Sequence, residues 1–218
     1  MMNVFKQNEA AAPFDAGHSS HRDAWDTFLQ RSTPRLEDAP RPELAGKRIL
    51  ITGAGGSIGS ALTRSLALSQ ARELVLFDSS EGALHDVSQS LLELPGAAPH
   101  TAILGSVADP ATVAELFARR RPHIVFHAGA FKHVPLMETN PFAVASNNAL
   151  GTQVLVAAAA AHACEQFILL STDKSADPLS LMGASKLSAE LSTLAPRPGI
   201  MRTKAVRLGN VLGSSGSV

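Results

Sequence analysis

Three stretches of the 218-residue chain carry side chains able to do chemistry, and each directly follows a short apolar run. The first is Thr52-Gly53-Ala54-Gly55-Gly56-Ser57-Ile58-Gly59, after Arg48–Thr52. Gly53, Gly56 and Gly59 have the GxxGxxG spacing, a variant of GxGxxG. Glycines let a backbone turn tightly and approach a pyrophosphate. A helix starting at Ser57 would present free N–H groups and partial positive charge to that anion. Asp78 ends the next apolar run, about 20 residues beyond Gly59, where a carboxylate accepts hydrogen bonds from adenosine ribose hydroxyls. It would repel a 2′-phosphate, so the pattern favours NAD over NADP.

The second stretch runs from His127 to Glu138, and the third is Ser171-Thr172-Asp173-Lys174 followed by Met182-Gly183-Ala184-Ser185-Lys186. Met182 and Lys186 are four apart and share one face of a helix. Both stretches hold titratable groups suited to acid–base work. Tyrosine is absent, which excludes any mechanism that needs a phenol.

The elements that must position these residues alternate from Lys47 onward. Expected strands are Arg48–Thr52, Glu73–Asp78, His100–Leu104, Ile124–His127, Gln166–Ser171 and Lys204–Leu208. Helices are expected near Ser57–Ser69, Glu81–Leu92, Pro110–Arg120, Pro141–His162 and Leu181–Leu194. Runs such as RILIT and LVLF scarcely alternate, as suits strands covered on both faces. The fold class is therefore α/β, a doubly wound parallel sheet of the Rossmann type, in which ligands bind beyond the carboxyl ends of strands. Residues 1–44 read as a mobile leader with one short helix at Asp23–Leu29, and residues 45–218 as the nucleotide-binding domain. Arg119, Arg120 and Arg121 close a helix, where cations complement the exposed carbonyls.

Composition narrows the function further. Lys+Arg and Asp+Glu both number 19, a balance unlike that of a nucleic-acid reader. One cysteine, Cys164, allows no internal disulfide, fits a cytoplasmic setting and reads as a small buried residue. The longest uncharged run, Phe142 to Ala163, carries Ser146, Asn147, Asn148, Gly151, Thr152 and Gln153, so a buried helix is expected and no membrane span. His18 and His21 lack the further ligands a metal site needs.

The strings TGAGGSIGSAL, FDSSEGAL, FHAGAFKHVPLME, NALGT, LSTDKSADPLSLMGASK and VRLGNVLGSSGSV resemble the extended branch of the short-chain dehydrogenase/reductase superfamily. More narrowly, they are similar to bacterial polysaccharide-biosynthesis nucleotide-sugar 4,6-dehydratases acting on UDP-N-acetylglucosamine. The resemblance covers about Ala45 to Val218. It implies NAD as cofactor, a UDP-sugar as substrate and a catalytic set of Thr172, Asp173, Lys174, Met182 and Lys186. Met182 stands at the superfamily's tyrosine place, as in one branch of these dehydratases, and Lys186 keeps the lysine place. Thr172 falls near the sugar's 4-hydroxyl. Asp173 and Lys174 are implied as acid and base of the elimination. Lys174 would then have to be partly neutral near pH 7 and Asp173 would have to hold a proton. Methionine cannot accept the 4-hydroxyl proton, which leaves Lys186 or a water held by Thr172.

The resemblance also implies cofactor contacts at Gly53, Gly56, Ser57, Ile58, Gly59, Asp78, Ser79, Ser106, Val107, Ala128, Lys132, Asn147, Lys186 and Val211. Substrate contacts are implied at Lys132, His133, Asn210, Ser214 and Ser217. Two departures stand out: Ser106 is often aspartate in the family, and Gly129 is usually alanine. The chain stops at Val218, inside the substrate loop, where family members continue into a substrate-binding portion; that portion is expected to be largely missing. The family's equivalents of Pro141–His162 and Leu181–Leu194 pair with a second subunit, which implies a homo-oligomer. A nucleotide-sugar 4-epimerase and a catalytically silent NAD-binding module are the alternatives.

Overall fold

The computed structural model describes residues 41–196 and 199–211. The expected helix at Asp23–Leu29 lies outside these residues. Residues just before position 45 pack against the domain. Pro42–Leu44 form a 3-10 turn, Leu44 is buried in the core, and Arg41 donates to Ser65 Oγ at 3.0 Å.

Six strands form one wholly parallel sheet: β1 (Arg48–Thr52), β2 (Glu73–Asp78), β3 (His100–Leu104), β4 (Ile124–His127), β5 (Gln166–Thr172) and β6 (Arg202–Leu208). The order is β3-β2-β1-β4-β5-β6. The order reverses between β1 and β4, which makes a crevice at their carboxyl ends, the usual ligand position of such sheets. The helices are α1 (Ser57–Ala67), α2 (Glu81–Leu92), α3 (Pro110–Arg120), α4 (Val134–Glu138), α5 (Pro141–Val144), α6 (Gly151–Ala161) and α7 (Leu181–Leu194).

Alternate strand residues feed two cores. Ile49, Ile51, Leu74 and Leu76 pack with Leu66 of α1 and with Leu84 and Val87 of α2. Leu50, Val75, Phe77, Val125 and Phe167 pack with Phe117 of α3, Leu155 of α6 and Ala189 of α7. Burial on both faces explains the unbroken apolar runs of the inner strands, whereas the outermost β3 and β6 are only partly covered. Local chemistry sets the helix ends. Ser80, Asp109 and Ser180 accept backbone N–H bonds as N-caps of α2, α3 and α7. Arg121 ends α3 in the left-handed region, φ 44°, while Arg119 pairs with Glu115 and Arg120 with Glu73.

Four expectations need correction. The stretch 141–162 is not one regular helix: a π-helical turn, Ala145–Leu150, separates α5 from α6. The wider turn accompanies the inward placement of Asn148, which is buried and bonded to Phe131 and Ser185. β5 runs one residue further than expected, to Thr172, and β6 begins earlier, at Arg202. α1 stops at Ala67, where Leu68 leaves helical geometry.

Candidate active site

The glycine turn is shaped by contact as much as by conformation. Gly53 has φ +68°, and a Cβ there would meet the backbone of Gly129 at 2.5 Å. A Cβ on Gly59 would collide with the Gly53 carbonyl oxygen, so Gly59 packs α1 against the turn. Asp78 closes the turn from β2. Its Oδ2 accepts from Gly55 N and its Oδ1 from Ser80 N, both at 2.9 Å. A cavity of about 240 Å³ opens there, lined among others by Gly53, Gly56, Asp78, Ser79, Val107, Ala128 and Asn147. Ser57 and Ser106 are not among its lining residues. The Ser106 hydroxyl accepts from Ala108 N.

A second cavity, of about 520 Å³, adjoins the first through shared lining at Ala128, Ala130 and Phe131. Ile58, Lys132, His133, Thr172, Lys174, Met182, Lys186, Asn210 and Val211 all line it. Residues expected at the cofactor (Ile58, Ala128, Lys132, Lys186 and Val211) and at the substrate (Lys132, His133 and Asn210) thus share this cavity. Ser214 and Ser217 lie outside the described residues.

β5 leads into the residues expected to act as acid and base. Its last residue, Thr172, caps a single 3-10 turn, Asp173–Ser175. Thr172 Oγ1 donates to Asp173 Oδ1 at 3.0 Å, and Lys174 Nζ donates to the same oxygen at 3.2 Å. Lys174 Nζ also reaches Asn210 Oδ1 at 3.4 Å. Asp173 does not line the larger cavity itself; it touches Thr172 and Lys174, which do. The hydrogen bonds from Lys174 and then Thr172 hold the Asp173 carboxyl below its ordinary pKa. Without a bound sugar, Asp173 is thus an exposed carboxylate ion-paired with Lys174.

α7 supplies the opposite wall. Met182 and Lys186 are buried on one face, as their spacing predicts. Lys186 Nζ donates to Leu170 O at 2.7 Å. Burial lowers its pKa to about 8, against the opposing pull of the Glu190 carboxylate.

Four residues at the site escaped sequence reasoning. Gly55 fixes Asp78, and Asn148 clamps both backbone groups of Phe131. His127 is buried between Thr52 Oγ1 and Thr152 Oγ1, at 2.6 and 2.9 Å. Glu190 lies beneath the Thr172–Ser175 turn. For Asn148 and Glu190 the only signal was a polar residue inside an otherwise helical apolar pattern. Among the described residues, no cluster of three or more His, Cys, Asp or Glu side chains could hold a metal ion.

A switch-point crevice, a glycine turn and an acid–base turn facing α7 define a doubly wound α/β protein of the short-chain dehydrogenase type. Residues 49–218 match the family described as polysaccharide biosynthesis protein, and the chain belongs to that family. It is 42% identical over 179 residues to the probable polysaccharide biosynthesis protein EpsC of Bacillus subtilis, covering 80% of this chain and 30% of that protein. It is 33% identical over 178 residues to a UDP-N-acetylglucosamine 4,6-dehydratase (inverting) of Campylobacter jejuni, covering 79% of this chain and 52% of the relative. UDP-glucose 4-epimerases of Rickettsia species are similar too, at 32–33% identity. Among solved structures, Pen from Bacillus thuringiensis superposes with TM-score 0.73 at 27% identity, over 80% of this chain and 53% of that one. The chain thus spans 30% to 52% of the length of these curated relatives.

Proposed function

We propose that the chain is the NAD-binding catalytic part of a UDP-N-acetylglucosamine 4,6-dehydratase serving cell-surface polysaccharide synthesis in the cytoplasm. The observation that carries this reading is the placement of Thr172, Lys174, Met182 and Lys186 around one cavity that adjoins the glycine turn. The Campylobacter relative, whose name states this activity, supports it.

The residues fit NAD. The backbone cradle at Gly53 would be filled by any Cβ, and the Asp78 carboxylate is held at the cavity beside it. Gly53, Gly56 and the start of α1 would take the pyrophosphate and Asp78 the ribose hydroxyls, with Lys186 toward the reacting end. When bound, NAD supplies reversible hydride removal, at carbon 4 of the sugar and back to carbon 6, so that it is not consumed.

The chain's own residues perform the elimination. A ketone at carbon 4 acidifies the proton on carbon 5. Lys174 accepts that proton as the electron pair moves into the new carbon 5–carbon 6 double bond. Asp173 protonates the departing 6-hydroxyl, which leaves as water. These roles need a neutral amine and a carboxylic acid, whereas the open site holds an ammonium and a carboxylate 3.2 Å apart. The two states contain the same number of protons. Moving one proton from Lys174 to Asp173 interconverts them, and exclusion of water by a bound sugar favours the uncharged form. Substrate closure would therefore create acid and base together.

Thr172 and Lys186 flank the position of the 4-hydroxyl, and with Met182 unable to take its proton, Lys186 or a water on Thr172 does so. An epimerase is the second reading, supported by the Rickettsia relatives, but epimerisation at carbon 4 needs no base for carbon 5 and would leave Lys174 without a task. A silent NAD-binding module is the third. Incubating the natural full-length protein containing this sequence with UDP-N-acetylglucosamine distinguishes them. A product lighter by one water supports the dehydratase, an isomer of unchanged mass the epimerase, and NAD binding without turnover the silent module.

The same reading includes self-association. Leu150, at the end of the π turn, and Leu191 and Leu194 of α7 are more than half exposed. We propose that a second copy covers them.

A further inference from the structure

Glu190 is an acidic residue in an unusual place. It is 3% exposed, and its carboxylate is surrounded by donors from three chain segments. Ser171 Oγ, at the end of β5, donates to Oε1 at 2.5 Å. Ser175 Oγ, closing the 3-10 turn, lies 2.5 Å from the same oxygen and 2.6 Å from Thr172 O, so its one proton serves either acceptor. Arg207 of β6 grips the carboxylate through Nε, at 3.0 and 3.1 Å, and Nη2, at 2.7 Å. Burial opposes ionisation, but the hydrogen bonds from Arg207, Ser171 and Ser175 outweigh it and bring the Glu190 pKa to about 2. The Glu190 charge in turn acts on Lys186, one helical turn away, and raises its pKa against the lowering by burial.

These contacts have a direction. Ser171 and Ser175 flank Thr172, Asp173 and Lys174, and Arg207 lies three residues before Asn210, which Lys174 contacts. One carboxylate thus ties the turn bearing the acid and base to the strand end leading to the substrate loop. A fold-only role would be served as well by packed apolar side chains, because buried ion pairs often add no net stability over such replacements. We propose that Glu190 is a positioning residue, which holds the Thr172–Lys174 turn at a fixed distance from Asn210. What the turn then does rests on the dehydratase reading; that Glu190 holds it does not.

The test has two independent arms in the full-length protein. In the first, amide hydrogen exchange is followed across residues 172–176 without substrate. Glu190→Gln and Ser175→Ala should each speed exchange there at least tenfold and leave β1 and β2 unchanged, while Lys47→Met, which breaks the ion pair with Glu165, should not affect the turn. In the second arm, carbon 5 deuterium incorporation should fall at least tenfold in Glu190→Gln with NAD affinity within twofold of wild type. The double variant Glu190→Met, Arg207→Leu should recover the melting temperature but not carbon 5 exchange. Unchanged amide exchange at the turn, or full recovery of carbon 5 exchange by the apolar pair, overturns the proposal. If the wild type incorporates no deuterium at carbon 5, the dehydratase reading fails, and the amide exchange still decides whether Glu190 holds the turn.

Discussion

Lys174 Nζ lies 3.2 Å from Asp173 Oδ1 at the carboxyl end of β5, with side chains 47% and 57% exposed. In that setting the pair holds one proton between two groups, and the proposed elimination needs that same proton on the other partner. Rate should therefore follow the singly protonated pair and give a bell-shaped pH profile. The acid limb of kcat/KM reports the free protein, in which the Asp173 pKa is lowered, so it should fall below the ordinary carboxylate range. Initial rates of water loss measured across pH check this; an acid limb near pH 6 would contradict it.

Asp78 should set cofactor choice. Its carboxylate is fixed by Gly55 N and Ser80 N and faces the smaller cavity. NAD should bind more tightly than NADP by about 1–3 kcal/mol, from hydrogen bonds kept in one case and charge repulsion in the other. Calorimetry should show that gap, and Asp78→Ala should narrow it by weakening NAD more than NADP.

His127 should stay neutral through the physiological range. Thr152 Oγ1 spends its proton on Asn148 O at 2.6 Å, so His127 Nε2–H donates to Thr152 and Nδ1 accepts from Thr52. Burial and then the nearby Lys186 charge lower its pKa to about 3. The unfolded chain binds this proton near pH 6.5 and the folded one only near 3. The folded state is thus fully favoured above pH 6.5 and loses stability as pH falls toward 3, on the order of 5 kcal/mol from this group at the limit. Imidazole NMR shifts of His127 should be flat from pH 8 to 5. A titration midpoint near 6.5 would contradict the buried, neutral ring.

Self-association should depend on the outer faces of the π turn and α7. Leu150, Leu191 and Leu194 are 55%, 64% and 52% exposed. Leu191→Glu should shift sedimentation from dimer or larger to monomer at micromolar concentration, with the melting transition of the domain retained. A wild-type monomer would contradict the proposed pairing.

The sheet was legible because inner strands buried on both faces must be apolar throughout, and because Gly, Ser, Asp and Pro mark the helix starts that follow them. The cavity residues Thr172, Lys174, Met182 and Lys186 were legible for the same reason: strand ends and an i,i+4 spacing put them in place. Asn148 and Glu190 were not, since their partners Phe131 and Arg207 are 17 residues away in each case and come together only through packing. The π turn left no mark either, because a single extra residue barely disturbs the helical spacing of 141–162. The exposure of Asp173 was not legible either, because it depends on the fold around the turn, which no local pattern encodes.

Carbon 5 proton exchange tests the central claim most directly. The full-length protein, with NAD and UDP-N-acetylglucosamine in deuterated water, should place deuterium on carbon 5 as it releases water. Lys174→Ala should abolish that incorporation, and Asp173→Asn should retain it while blocking water loss. If Lys174→Ala still incorporates deuterium and still dehydrates at the wild-type rate, Lys174 is not the base, and the assignment of this turn to the elimination is wrong.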